Sequence, residues 1–389
     1  MGKYNFDTTI NRIKTCSARW CVNEGELPLD IADMDFLVMP EIEKAIKSRA
    51  EQACYGYTYV PDSNFDAYIR WWKNRHNTRL EKEWFIFSKS VVASIDSIFK
   101  HLGKSKDIVA MFTPVYNVFF NCIKNNNLVL KECEFVIDED EIKIDWEKLE
   151  TQLKSAKFFL LCNPHNPLGT NFTIEELNKI INLCKQNDVY IISDEIHGDL
   201  DLNKGRYISI LNSEVTRYEK VIALLSPSKV FNVAGLHSSV AVIPNKELKE
   251  EIQNGFWQDD IGEPNYFAID PIITAFTQGD DYVDQLNSYL NENRAYLSEF
   301  LLKNLPNLKI VSGHYTYLVW IDISCYSRDS RLFAKNLKEK TGLVVAPGIN
   351  YGNSGEGYIR LNIATPRKNL IDACNRLVNY ISEKWRNNL

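Results

Sequence analysis

No hydrophobic run in this 389-residue sequence approaches the roughly 20 residues that a membrane-spanning helix needs. The opening residues 1–7 carry no apolar stretch of the kind a secretory signal uses, so the expectation is a cytoplasmic protein with no membrane partner. A basic excess is missing too: 45 Lys and Arg face 51 Asp and Glu, for a formal charge of -6. General nucleic-acid binding needs the opposite balance, and no nucleic-acid partner is expected. Paired cysteines are absent. The nine cysteines are an odd number without a Cys-x-x-Cys pair, Cys16 and Cys21 being nearest in sequence. That pattern argues against a disulfide framework and against a zinc site, and free thiols in a reducing compartment are the simpler account. There is no internal repeat and no low-complexity segment.

What remains is an ordinary globular composition, 45% hydrophobic and 25% charged, in a chain long enough for two or three domains. Residues 85–87, 108–112, 158–162, 189–193 and 221–225 are apolar runs that read as buried strands. Helical signals separate them. Ile95, Ile98 and Phe99 share one helix face; Thr173 and Glu176 form a capping box ahead of Leu177, Ile180, Ile181 and Cys184. This alternation predicts an α/β fold, a mainly parallel sheet sandwiched by helices, with ligands beyond the carboxyl ends of the strands. Residues 128–144 read as a strand or hairpin region, and a strand pair is expected around residues 238–243. A long helical region follows, broken at Gly262-Glu263-Pro264, and its helix at about 282–302 leads to a smaller α+β unit. The expected division is 1–45 as an N-terminal arm and small-domain segment, 46–285 as a large domain and 286–389 as a C-terminal small domain.

Two surface features carry weaker signals. Residues up to Glu26 read as a polar arm, and the acids Asp30, Asp33 and Asp35 after it read as a solvated turn with capping roles rather than a metal site. No metal is expected. Tyr55, Tyr57 and Tyr59 make an aromatic loop of the kind found at interfaces.

The strand ends carry the chemistry. Lys229 lies just past the run 221–225; a lysine there, desolvated or near other cations, is suited to Schiff-base chemistry. Asp194 ends the run 189–193 and offers a carboxylate to a cationic ring nitrogen. Asn166 offers an amide to a phenolate-type oxygen, from a loop that two Asn-Pro steps keep extended. Tyr116 is placed to stack on a planar ring. Ser226 and the N–H groups of Ser90, Val91 and Val92, at a helix start, suit a phosphate. An aldehyde, a ring nitrogen, a ring hydroxyl and a phosphate together describe pyridoxal 5′-phosphate.

Asn163-Pro164-His165-Asn166-Pro167-Leu168-Gly169, Ser193-Asp194-Glu195-Ile196-His197-Gly198-Asp199-Leu200 and Ser226 to Leu236 resemble the pyridoxal phosphate-dependent aminotransferase superfamily of fold type I. Within it the chain resembles the MalY/PatB-type cystathionine β-lyases, and Ala32-Asp33-Met34-Asp35-Phe36, Ala346-Pro347-Gly348 and Gly357-Tyr358-Ile359-Arg360-Leu361-Asn362 extend the likeness over nearly the whole chain. His197 stands where aminotransferases usually carry a tyrosine, which favours the lyases.

The resemblance implies a large cofactor domain with a seven-stranded-type sheet, a homodimer with a shared active site, and a small amino-acid substrate. It implies Lys229, Tyr116 and Asp194 as catalytic residues. Ser90, Val91, Val92, Asn166, His197, Ser226, Ser228 and the neighbouring subunit's copy of Tyr57 would bind the cofactor. Arg360, by a bidentate fork, would bind the substrate together with Ala32 and Asn166. Three positions depart from the family. Ser88-Lys89-Ser90 replaces a Thr-Pro-Gly phosphate loop, Asp30 stands where the subgroup usually has Trp, and His237 stands where aminotransferases carry a phosphate-binding Arg. The implied reaction is α,β-elimination on a cysteine derivative; the alternatives are transamination and a regulatory protein that retains the fold.

Overall fold

The computed structural model describes residues 3–138 and 141–386, with side chains as far as residue 382. Seven strands form the main sheet: β1 (Phe85–Ser88), β2 (Ile108–Thr113), β3 (Val129–Glu134), β4 (Phe158–Cys162), β5 (Tyr190–Asp194), β6 (Val221–Leu225) and β7 (Ser239–Val242). Their order is β1-β7-β6-β5-β4-β2-β3, and only β7 runs antiparallel to its neighbours. Every residue of β4 and β6 is buried, as expected of central strands covered on both faces. Alternate side chains divide between two cores. Phe158, Leu160 and Cys162 pack with Ile95, Ile98, Phe99 and Ile252; Phe159 and Leu161 pack with Leu177, Ile180 and Ile181 on the opposite face.

Two expectations are corrected. The run 238–243 is one strand, not a pair, and it is hydrogen-bonded on both sides, to β1 and to β6. It holds too few residues for two strands and a turn. The polar arm is also anchored. Arg19 is buried and pairs with Asp33 at 3.4 Å and Asp35 at 3.0 Å, while Arg12 pairs with the same two acids at 2.7 and 3.1 Å. Asp35 is only 3% exposed and Asp33 shares both arginines with it, so these two acids are no solvated turn; two arginines from the arm make the burial of Asp35 tolerable. The region 128–144 supplies β3 at the sheet edge and, separately, Val136–Asp138 paired antiparallel with Glu141–Lys143.

A second, antiparallel sheet contains β8 (Lys309–Ile310), β9 (Leu318–Asp322), β10 (Ala346–Pro347) and β11 (Tyr358–Asn362), in the order β8-β9-β11-β10. Early chain joins this part, since Leu27–Pro28 pairs parallel with Leu343–Val344. The helix Asp280–Asn304 ties both parts together. Asn287 Nδ2 donates to the Asp199 carbonyl at 2.8 Å, and Asn293 Nδ2 to those of Ile363 and Thr365 at 2.9 and 3.0 Å. The position 285/286 lies inside that helix.

Candidate active site

The register sets Cys162 beside Asp194 and Asp194 beside Leu224, so β4, β5 and β6 end level and their outgoing loops open side by side. Lys229 leaves the third of these loops, and its Nζ donates to the Ala32 carbonyl at 2.7 Å. Burial, then the Arg360 guanidinium, lowers the amine's pKa to about 8 against the pull of Asp33 and Asp194. Asp194 behaves in the opposite sense. Burial raises its carboxyl to about 7, although the Ile196 N–H donates to Oδ1 at 3.1 Å and Lys229 acts to lower it. Among the described residues Asp194 has no ion-pair partner within 4.0 Å.

Arg360 sits in β11, between Trp320 of β9 and Ala346 of β10. Its Nη1 donates to Asn166 Oδ1 at 3.1 Å and its Nη2 to the Asp30 carbonyl at 2.6 Å, while Nε is buried without a partner among the described residues. Its guanidinium carbon lies 4.8 Å from the centroid of the Tyr351 ring. Asn362, two residues on and so on the same face, donates to the Ile31 and Asp33 carbonyls, both at 2.7 Å. The segment 30–33 is thus laid across the site, with Arg360 at one end and Lys229 at Ala32.

Tyr116 is half-buried with its ring edge-on to Phe119; burial and the Asp194 carboxylate push its hydroxyl up to about 12. His197 is buried, its Nδ1 lacks a partner among the described residues, and burial followed by the charges of Lys229 and Arg360 holds its pKa well below the usual value. Ser90 caps the helix Val91–Leu102 by accepting the Ala93 N–H at 3.1 Å. The Val91 and Val92 N–H groups in that first turn have no intrahelical acceptor and can receive an anion. Ser226 Oγ donates to the Ser238 carbonyl at 2.7 Å, accepts the Ser228 N–H at 3.2 Å and lies 2.8 Å from Ser228 Oγ.

Hydrogen bonds and mutual charge effects therefore connect Lys229, Asp194, Asn166, Arg360, Tyr116, His197 and Ala32. Tyr57 is not among them: it is 101% exposed and points away from its own chain. His237 is exposed in a left-handed conformation, φ 49°, and Lys89 is paired with Asp260 at 3.4 Å. Four further residues shape the site without having been singled out. Tyr317 OH donates to the Ala32 carbonyl at 3.1 Å, Tyr351 faces Arg360, and Asn362 pins the crossing segment. Glu195, buried beside Asp194, accepts from Ser193 Oγ at 3.0 Å, Ser209 Oγ at 2.7 Å, the Ile210 N–H at 2.9 Å and Tyr207 OH. The spacing of Arg360 and Asn362 in a strand was a usable signal; the other three depend on partners remote in sequence.

A lowered amine, a buried carboxylate lacking a cation, an unpartnered guanidinium Nε and free N–H groups at a helix start make a donor set that fits pyridoxal 5′-phosphate and an amino acid.

The protein-family model for aminotransferase class I and II matches residues 24–377. Cystathionine beta-lyase PatB of Bacillus subtilis (strain 168) is 31% identical over 382 residues, which cover 96% of this chain and 98% of that protein. The crystal structure of cystalysin from Treponema denticola, which contains a pyridoxal 5′-phosphate cofactor, matches with a TM-score of 0.93 at 27% identity, over 98% of this chain and 99% of that one. The PLP-bound C-S lyase from Staphylococcus hominis matches with a TM-score of 0.91 at 28% identity, over 97% and 98%.

Proposed function

Because the chain belongs to the aminotransferase class I and II family, we propose that it is a pyridoxal 5′-phosphate-dependent carbon–sulfur β-lyase. Its substrate is L-cystathionine or a related cysteine S-conjugate, and its products are a thiol, pyruvate and ammonia. The relatives' names support the reaction class. The observation that carries the reading is Lys229, an amine with its pKa lowered to about 8 in one buried cluster with Asp194, Asn166 and Arg360.

Arg360 holds the substrate α-carboxylate, which satisfies its unpartnered Nε, and Ala32 and Asn166 border the same space. Asp194 would pair with the ring nitrogen and keep it protonated. Asn166 and His197 would serve the ring oxygen, Tyr116 would stack on the ring, and Ser90, Val91, Val92, Ser226 and Ser228 would hold the phosphate. Pyridoxal phosphate, when bound, supplies the electron sink that makes the substrate Cα proton acidic. Lys229 Nζ takes that proton and holds it as an ammonium. The Cβ–S bond then breaks with its electron pair leaving on sulfur, and Lys229 Nζ returns a proton to the thiolate. The remainder of the amino acid, after hydrolysis, ends as pyruvate and ammonia.

Full exposure of Tyr57 supports a homodimer in which this ring reaches the partner's cofactor phosphate. A cytoplasmic enzyme divided near residues 45/46 and 285/286 completes the proposal. The test is an assay of pyruvate and thiol over a panel of cysteine S-conjugates. Stoichiometric pyruvate and thiol are expected; amino-group transfer to a 2-oxo acid without pyruvate would replace the lyase with an aminotransferase.

A further inference from the structure

The Asp30 carboxylate is left over by the chemistry above. Asp30 is half-buried, and the backbone on both sides of it is fixed. The Leu29 N–H donates to the Val344 carbonyl and the Asn362 N–H to the Leu29 carbonyl, both at 2.9 Å; Asn362 Nδ2 reaches the Ile31 carbonyl at 2.7 Å. The Asp30 carbonyl itself receives Arg360 Nη2 at 2.6 Å. The backbone of Asp30 is therefore anchored at the arginine that takes the substrate carboxylate. Asp33 and Asp35, close by in sequence, are each paired with Arg12 and Arg19. Among the described residues the Asp30 side chain has neither an ion pair nor a hydrogen bond. Its charge is felt at the Tyr351 hydroxyl, on the ring that faces Arg360, whereas the acids felt at Lys229 are Asp33 and Asp194. Asp30 thus lies at the end of the crossing segment held by Arg360, and Ala32, two residues on, is the end held by the amine.

Once a substrate carboxylate neutralises Arg360, the charge left at this edge of the site is negative. We infer that Asp30 sorts cysteine S-conjugates by the charge of the sulfur substituent, favouring those that end in a cation over those that end in an anion. The inference rests on the lyase reading and adds the substrate class to it. A single unpaired carboxylate several ångströms from the distal charge, in a partly solvated site, shifts relative kcat/KM by roughly five- to tenfold for each sign of charge.

The test compares S-(2-aminoethyl)-L-cysteine, S-carboxymethyl-L-cysteine and the neutral S-propyl-L-cysteine on the holoenzyme and on its Asp30→Asn variant. Each kcat/KM is normalised to the neutral substrate of the same protein, so a general loss of activity cancels. The wild type should prefer the aminoethyl over the carboxymethyl compound, and Asp30→Asn should reduce that ratio by about 25- to 100-fold, the two effects multiplying. An unchanged ratio overturns the inference. If the variant does not fold, the wild-type preference measured at low and at high salt decides: shrinkage with salt supports the inference, and a salt-independent preference overturns it. Failure to release pyruvate from the neutral substrate sinks the lyase reading instead.

Discussion

Asp194→Asn should make the cofactor-free chain more stable above neutral pH while lowering the activity of the cofactor-loaded enzyme. In the chain without a ligand, burial raises the carboxyl from the usual 3.8 to about 7. An acid whose pKa is higher folded than unfolded stabilises the native state fully at low pH. As pH rises from about 4 to about 7, the unfolded chain gives up its proton first and that stability is lost. At 1.36 kcal/mol for each pH unit, the loss is on the order of 4 kcal/mol at pH 8. Asn is nearly isosteric, keeps an oxygen for the Ile196 N–H and carries no charge to bury. The assay is urea unfolding of cofactor-free wild type and variant at pH 5 and pH 8. The variant's advantage should be about 4 kcal/mol at pH 8 and under about 2 kcal/mol at pH 5. With cofactor present the order should reverse, because only the wild type can pair a ring cation, and kcat should fall by about 10²–10³-fold in the variant. A cofactor-free variant less stable than wild type at pH 8 would refute the reasoning, since Asp194 would then already have its cation.

Arg360→Lys keeps a charge but loses the planar fork and its bonds to Asn166 and the Asp30 carbonyl; steady-state kinetics should show KM raised about 10- to 100-fold, with kcat changing less. Glu195→Ala strips the acceptor from four buried donors and should cost about 3–5 kcal/mol in urea unfolding, with Glu195→Gln costing less. Arg19→Ala leaves Asp35 with one cation, Arg12, beside the neutral donors Trp20 and Thr365, and should cost about 3 kcal/mol by the same measurement. Tyr57→Phe should weaken cofactor affinity in a titration followed by absorbance, and leave the unfolding free energy of the cofactor-free chain in urea within about 0.5 kcal/mol of wild type because the ring is exposed.

The central strands could be read from the sequence because a parallel sheet covered on both faces needs continuous apolar runs, and β4 and β6 are such runs. The site residues at their ends were readable for a related reason: strand ends, prolines and glycines mark loops, and Lys229, Asp194 and Asn166 fall in them. What escaped depends on pairing at long range. β7 was divided in two because hydrogen bonding to β1 and β6 on either side leaves no trace in a six-residue run. The arm looked solvated because Arg12 and Arg19 read as ordinary polar residues until Asp33 and Asp35 are brought against them. Tyr317 and Tyr351 sit by the site only because the second sheet folds back onto the crossing segment 30–33.

The account turns on the amine of Lys229, and pyruvate release from L-cystathionine by the Lys229→Ala protein tests it most directly, with circular dichroism confirming the fold. Release should drop to background. Pyruvate formed at the wild-type rate by a folded Lys229→Ala protein would contradict the account.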